Sequence, residues 1–296
     1  MTRYFIAICL IACTLELCCA APITLHIDNT HSSIQFSAQF LVISEVAGRF
    51  EKFCGQFYFD ETNMAVSRLE LYIDASSINT SLKIRDRDLV EKYLETQKFP
   101  IIYYKSKSVR QVKPNQFEVI GDFSLHGVTK ELRITLTTIG DIINDEKARE
   151  LGLKLQPLKI NRRDYGIMEG AVGSATVGDT VTVSAVIRLR DVTPYRKDID
   201  VRYPETPASA RASLTTPFIG WYVSSRGARI DLISDGSNYF VSFSDDNWSW
   251  LAQAKMVGPN QFKLMSFSNL VELTSVGLTY TKPGAQPEPF TRVVKN

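Results

Sequence analysis

The stretch FEVIGDFSLHGVTKELRITL, residues 117–136, decides the fold. Phe117, Val119, Gly121, Phe123 and Leu125 share one face, and Glu118, Asp122 and Ser124 fall largely on the other, the period of a half-buried strand. His126-Gly127 is the turn. Beyond it Val128, Leu132, Ile134 and Leu136 alternate again, and the interruption at Thr129-Lys130 predicts a bulge that restores register.

The same rhythm extends outward from this hairpin, over residues 23–189. Ile34, Phe36, Ala38 and Phe40 alternate, then Gly55, Phe57 and Phe59, then Leu69, Leu71 and Ile73. Residues 101–106 and the series Val181, Val183, Ala185, Ile187, Leu189 follow, with Gly, Asp, Asn and Ser clusters between runs. Seven or more antiparallel strands with one apolar face can close as a barrel, which removes exposed edges. One segment departs from this period. Within residues 77–100, Leu82, Leu89, Val90, Tyr93, Leu94 and Gln97 recur at three-to-four spacing until Phe99-Pro100. That predicts a helix or two short helical turns, placed as a lid or plug on the barrel. Residues 144–153, charged and containing Gly152, read as a surface loop.

Alternation lapses after Arg190. Pro194, Pro204 and Pro207, with Pro217 just beyond, mark a linker over residues 193–214. Residues 215–296 then show five or six short strands, around Trp221-Tyr222, Ile230-Asp231-Leu232, 239–243, 262–267 and 278–280. The expected fold class is therefore all-β with a short helical insertion: an antiparallel barrel over residues 21–192 and a second, small all-β domain. A length of 296 residues and 44% hydrophobic content suit two cores.

The formal charge is +2 with acids and bases mixed along the chain, so there is no basic stripe and no nucleic-acid partner is expected. Residues 1–20 read as a signal peptide, with Arg3 before an apolar run over 5–17 and Cys18-Cys19-Ala20 at the cleavage site. Thr14 and Glu16 interrupt that run, which is too short for a bilayer span of about 20 apolar residues. Cleavage near Ala20 and a periplasmic or secreted location are the expectation. Of five cysteines only Cys54 lies beyond that segment, and its strand neighbours Phe53 and Gly55 mark it as a buried small hydrophobe. No G-x-S-x-G, P-loop or H-E-x-x-H pattern occurs, so no enzyme is expected. His31 and His126 lack the spaced partners of a metal site.

Five ordered signatures run through the first domain: Asp28-x-x-His31-Ser32-x-Ile34-x-Phe36; Gly48-Arg49-Phe50-x-x-Phe53-x-Gly55; Ser76 to Thr80 with Arg85-Asp86 and Lys98-Phe99-Pro100; Gly121-Asp122 to Lys130; and Ile160-Asn161-Arg162-x-Asp164-Tyr165-Gly166-Ile167. Together they resemble the YceI-like, polyisoprenoid-binding family. The resemblance implies a lipocalin-like barrel with a helix at one end and an elongated apolar cavity holding an isoprenoid or other long-chain lipid. It implies no cofactor beyond that lipid and no catalysis; a homodimer, as in some relatives, is a further implication. On this reading the cavity is lined by Phe36, Phe40, Phe50, Phe53, Phe57, Phe59, Leu71, Leu89, Phe99, Phe117, Val119 and Phe123. Arg85, Asp88 and Arg162 are the head-group candidates, although Arg85 with Asp86 equally suits a helix cap and Arg162 equally suits pairing with Asp86 or Asp122. Relatives often carry histidine at the positions of Phe40 and Asp88, so the head-group preference of this chain differs from theirs or is lost. The alternative is a scaffold with a filled barrel, whose C-terminal domain binds a protein partner through Trp248 and Trp250.

Overall fold

A computed structural model describes residues 21–167, 177–193 and 220–292, with short breaks at 236–237, 247–248, 259, 266–268, 275–276 and 283–284. The predicted leader and most of the predicted linker lie outside the described residues.

The first unit contains β1 (Ile23–Ile27), β2 (Ser33–Phe40), β3 (Ser44–Phe50), β4 (Phe53–Phe59), β5 (Arg68–Asp74), β6 (Ile78–Asn79), β7 (Ile101–Lys113), β8 (Gln116–Leu125), β9 (Val128–Ile143), β10 (Arg149–Asn161) and β11 (Val177–Asp191). The order β1-β4-β5-β7-β8-β9-β10-β11 closes on itself because β11 returns to β1, with Leu25 opposite Asp191. Farther along, β11 leaves β1 and pairs instead with β2, which continues through β3 to β6. β1 with β2, β3 with β4 and β5 with β6 are thus three bent lines of an eight-line wall. Asp28 forms the first bend, accepting from the Thr30 backbone N–H at 3.0 Å. Asp74 does the same at the third, accepting from Ser76 N–H. The ladder carries through the bends by Asp28 N–H to Arg188 O and Glu51 N–H to Ser77 O.

The hairpin that opened the sequence reading is β8–β9, in unbroken register from Gln116↔Thr137 to Leu125↔Val128. His126 and Gly127 both take positive φ (52° and 76°), the backbone of a two-residue turn whose twist matches the strands. The predicted bulge at Thr129-Lys130 is absent. Lys130 sits directly opposite Phe123, and its ammonium reaches out over the Tyr165 ring at 5.7 Å, so a flexible stem absorbs the break in pattern. A second correction concerns residues 144–153. Only the turn before Arg149 is loop; Leu151, Leu153 and Leu155 belong to β10, buried and paired with β9 and β11.

The predicted helical excursion is present as helix α1 (Lys83–Asp88) followed by a wider turn over Leu89–Tyr93. It follows β6, and the chain then enters β7, so the helix occupies the end of the wall where β6 stops.

The second unit holds eight strands, two or three more than the sequence pattern predicted: β12 (Gly220–Ser224), β13 (Arg229–Ser234), β14 (Tyr239–Ser244), β15 (Ser249–Gly258), β16 (Gln261–Leu264), β17 (Leu270–Leu273), β18 (Gly277–Thr281) and β19 (Glu288–Arg292). They form a closed antiparallel barrel. The runs read in sequence correspond to β12, β13, β14, β16 and β18, and β15, β17 and β19 were missed; strands of four or five residues such as β17 and β19 are too short to declare a period.

The two barrels meet across the outer face of β4 and β5. In β4, Phe53, Gly55 and Phe57 point inward, so Cys54 points out, and it is buried by Phe240 and Leu251 of the second barrel. Tyr72 and Phe240 pack with ring centroids 5.0 Å apart. Beside them Lys52 Nζ donates to Ser242 Oγ at 3.1 Å, and Ser242 in turn donates to Asp74 Oδ2 at 3.0 Å. The burial of Cys54 was readable; its cause, a second domain, was not. Desolvation pushes the Cys54 thiol far above its ordinary pKa, which keeps it protonated and unreactive.

Candidate functional site

The first barrel is hollow. At about 3.3 Å per residue, the 16-residue β9 and 15-residue β11 are about 50 Å long, so the wall outlasts the side chains available to fill it. Its middle is walled by aliphatic and small residues, among them Ala38, Leu71, Ile134, Val183, Ala185 and Ile187, around a cavity of about 640 Å³. Leu71, Leu132, Ile134, Val183 and Ile187 face inward yet are only partly buried, because they border empty space. That volume is within the range of ligand pockets.

One end is solid. Phe57, Phe59 and Phe117 pack together with centroids 5.0 to 6.4 Å apart, joined by Leu25, Val119 and Leu151 in the continuous core. The other end opens beside α1, where Ile84 lines the cavity and is also 59% exposed to solvent. The structure therefore divides the predicted lining. Phe36, Phe40, Phe50, Leu71, Leu89 and Phe123 border the cavity. Phe53, Phe57, Phe59, Phe117 and Val119 do not, because they pack into the solid core below it. Phe99 also lies elsewhere, edge-on to His126 at 4.8 Å and against Gly127. Sequence reasoning favoured aromatics and passed over Ile73, Ile102, Ile134, Leu155, Val183 and Ala185, which form most of the wall's middle. For Ile134, Leu155, Val183 and Ala185 the signal was present: small and aliphatic inward positions midway along the long strands β9, β10 and β11.

The three head-group candidates all border the cavity near its open end, and each has protein partners. Arg85 donates from Nε to Thr80 Oγ1 and from Nη2 to Thr80 O, both at 2.7 Å, while Asp86 accepts from Thr80 N–H at 2.8 Å. The pair clamps Thr80, two residues before the N-cap Leu82, which itself makes no side-chain capping bond, so this is a clamp on the entering chain and not the helix cap of the alternative. Asp88 is bridged by Lys92 at 2.8 Å, and that hydrogen bond holds its carboxyl below the usual range. Arg162 is 4% exposed and donates to the carbonyls of Gly178, Ile167 and Val177 and to Asp179 Oδ1. Its partner is Asp179, not Asp86 or Asp122; Asp122 pairs with Lys107.

His126 joins three of the sequence signatures. Its Nδ1 lies 3.0 Å from Tyr165 O and its Nε2 lies 2.9 Å from Glu95 Oε2. The hairpin turn is thereby tied to the end of the helical excursion and to the turn at Arg162–Tyr165. His31 bonds Asp28 at 2.8 Å, and Arg188 joins Asp28 to Glu150. No metal-binding cluster occurs among the described residues. In the second barrel, Trp250 is half-buried against the core, stacked on Phe243 at 5.2 Å and 6.0 Å from Tyr280; Trp248 lies outside the described residues.

An eight-line antiparallel barrel, hollow, apolar within and open at one helix-covered end, is a lipocalin-type fold. Residues 25–189 match the YceI-like domain, and the chain belongs to that family. A UPF0312 protein of Shewanella denitrificans is 36% identical over 123 residues, covering 41% of this chain and 64% of that protein. A UPF0312 protein of Vibrio vulnificus is 30% identical over 122 residues, covering 41% and 65%. The chain thus spans a little under two thirds of the length of these relatives. Among solved structures, BcnA of Burkholderia cenocepacia is 18% identical, with a TM-score of 0.48 over 55% of this chain and 98% of that one. A polyisoprenoid binding domain from Saccharophagus degradans, implicated in plant cell wall breakdown, is also 18% identical, with a TM-score of 0.45 over 58% and 99%. The family match ends before the second barrel.

Proposed function

We propose that this protein is an exported, non-catalytic carrier that shields a polyisoprenoid or similar long-chain lipid inside its first barrel. The observation that carries the reading is the apolar cavity of about 640 Å³, closed by aromatics at one end and open at the other. Each methylene taken from water into such a wall gains about 0.8 kcal/mol, so a long chain supplies its own affinity without a strong head-group contact. That fits head-group candidates whose donors are spent on the protein itself. The function is sequestration and handover, with no bond made or broken, and it requires neither a second copy nor a protein partner for residues 220–292. Export rests on the leader pattern of residues 1–20.

Mass spectrometry of organic extracts from natively purified protein tests the ligand. A co-purifying long-chain lipid, or uptake of added polyprenol at one per chain, is the expected result; a barrel that is always empty and takes up no polyprenol overturns the reading. Intact-mass analysis of the protein from its own host tests export, with Ala21 expected at the N-terminus.

A further inference from the structure

The rim of the cavity carries an apolar tip. β2 and β3 are joined by Leu41, Val42 and Ile43, which are 49%, 82% and 88% exposed. Leu41 and Val42 both take positive φ (51° and 64°), backbone that disfavours bulky side chains and β-branched valine above all. A hairpin turn of this kind is ordinarily built from Gly, Asn or Asp. Strained, apolar and exposed residues thus stand where polar ones would fold better. The tip is continuous with the cavity: Phe40 and Val46 flank it in sequence and line the interior, as does the exposed Ile84 of α1. Exposed charges of both signs surround Ile84, with Glu91 farther along the helical segment. Lys83 and Arg87 are exposed, whereas Asp86 is turned onto Thr80 and Asp88 onto Lys92; the hairpin itself contributes the exposed Glu45.

We propose that Leu41, Val42 and Ile43 insert into the surface of a phospholipid bilayer, with Lys83 and Arg87 at the level of its phosphates, so that the barrel takes up its lipid directly from the membrane. The proposal rests on the lipid-carrier reading and adds the surface from which the lipid is drawn. An unbroken apolar path from the tip through Phe40 and Val46 spares the lipid an exposure to water. Interfacial binding of this kind combines buried apolar side chains with basic residues at head-group level.

The test uses the full chain, a double variant Val42→Asp/Ile43→Asp, and a matched double variant at the opposite end of the barrel, Ile142→Asp/Ile143→Asp. Polyprenol is offered either on cyclodextrin or in vesicles of phosphatidylethanolamine and phosphatidylglycerol, and flotation measures vesicle binding. The expected result is that the tip variant extracts lipid from vesicles at least about tenfold more slowly, while its uptake from cyclodextrin and both activities of the opposite-end variant stay unchanged. Equal extraction by wild type and tip variant, or equal loss in the opposite-end variant, overturns the proposal. So does a wild-type dimer, seen by sedimentation, that the tip substitutions dissolve, since the tip would then seat a second copy. A wild type that floats with vesicles yet takes up polyprenol from neither source overturns the carrier reading and leaves membrane docking standing.

Discussion

Both barrels close with eight antiparallel lines, but the first encloses a void and the second encloses side chains. Strand number sets the radius of a barrel, so the difference comes from what points inward and for how long. In the first barrel the cavity-lining positions midway along β9, β10 and β11, strands of 13 to 16 residues, are Ala, Val, Leu and Ile. In the second, strands of four to ten residues point Tyr222, Phe243, Met256, Phe262, Tyr280 and Phe290 into one cluster. A short barrel with aromatic contents fills itself. A long one with aliphatic contents fills only where Phe57, Phe59 and Phe117 crowd together.

Truncations break the comparison most sharply. Phe262→Ala removes a fully buried ring from the packed barrel and is expected to cost about 3–5 kcal/mol, whereas Ile134→Ala, which already borders empty space, is expected to cost less than about 2 kcal/mol. Urea titration read separately on the two barrels measures both; equal costs would refute the hollow–packed distinction. Enlargement reverses the logic. Ala252→Phe forces a ring into the filled core for about 1–3 kcal/mol, while Ala185→Phe enters the cavity at under about 1 kcal/mol and abolishes lipid uptake. Lipid uptake that survives Ala185→Phe would place the ligand elsewhere.

The seam between the barrels offers a third test. Phe240→Ala uncovers Cys54, and its reaction with a thiol reagent in native buffer is expected to accelerate about tenfold or more. An unchanged rate would mean that the second barrel does not seal this wall.

Acid distinguishes the barrels last and least. In the first, Lys98 and then His126 hold the Glu95 carboxyl below its ordinary value, and Arg110 and then Arg133 do the same for Glu118. A depressed folded-state pKa gives stability that is present above the unfolded value of 4.5 and lost as pH falls through the folded one. In the second barrel, burial raises the Asp231 carboxyl, with its partner Arg229 opposing, so that group instead favours the folded state as pH drops toward 3.8. Calorimetry in a series of buffers below pH 4.5 should show the first barrel's transition falling ahead of the second's; a simultaneous fall would contradict the assignment.

The closed wall of the first barrel was legible because Phe117 to Leu136 and the runs around it keep period two for long stretches. The helical excursion was legible for the complementary reason, a change of period bounded by Phe99-Pro100. Lys130 misled because a long side chain can hold an inward register position and still place its charge outside. Residues 149–153 misled because charge and Gly152 masked the alternation of Leu151 and Leu153. The cavity was legible only by resemblance. Whether an inward residue meets another side chain or a void depends on the distance across the barrel and the length of its strands, which no single position states. Hence Phe117 and Phe123, on one face of one strand, have different fates: the first lies in the solid end and the second lines the opening half.

Every line of the first barrel's wall is hydrogen-bonded to its neighbours over most of its length, and the far end is stoppered by tilted and edge-on packed rings. Such a tube cannot widen sideways to admit a guest, so a chain must thread in from the rim and stop at the rings. The tube is therefore a gauge. A guest shorter than the channel disappears inside it, and a longer one leaves its surplus at the rim, which makes the depth from Ile84 to Phe117 a measure of the tail the protein can conceal.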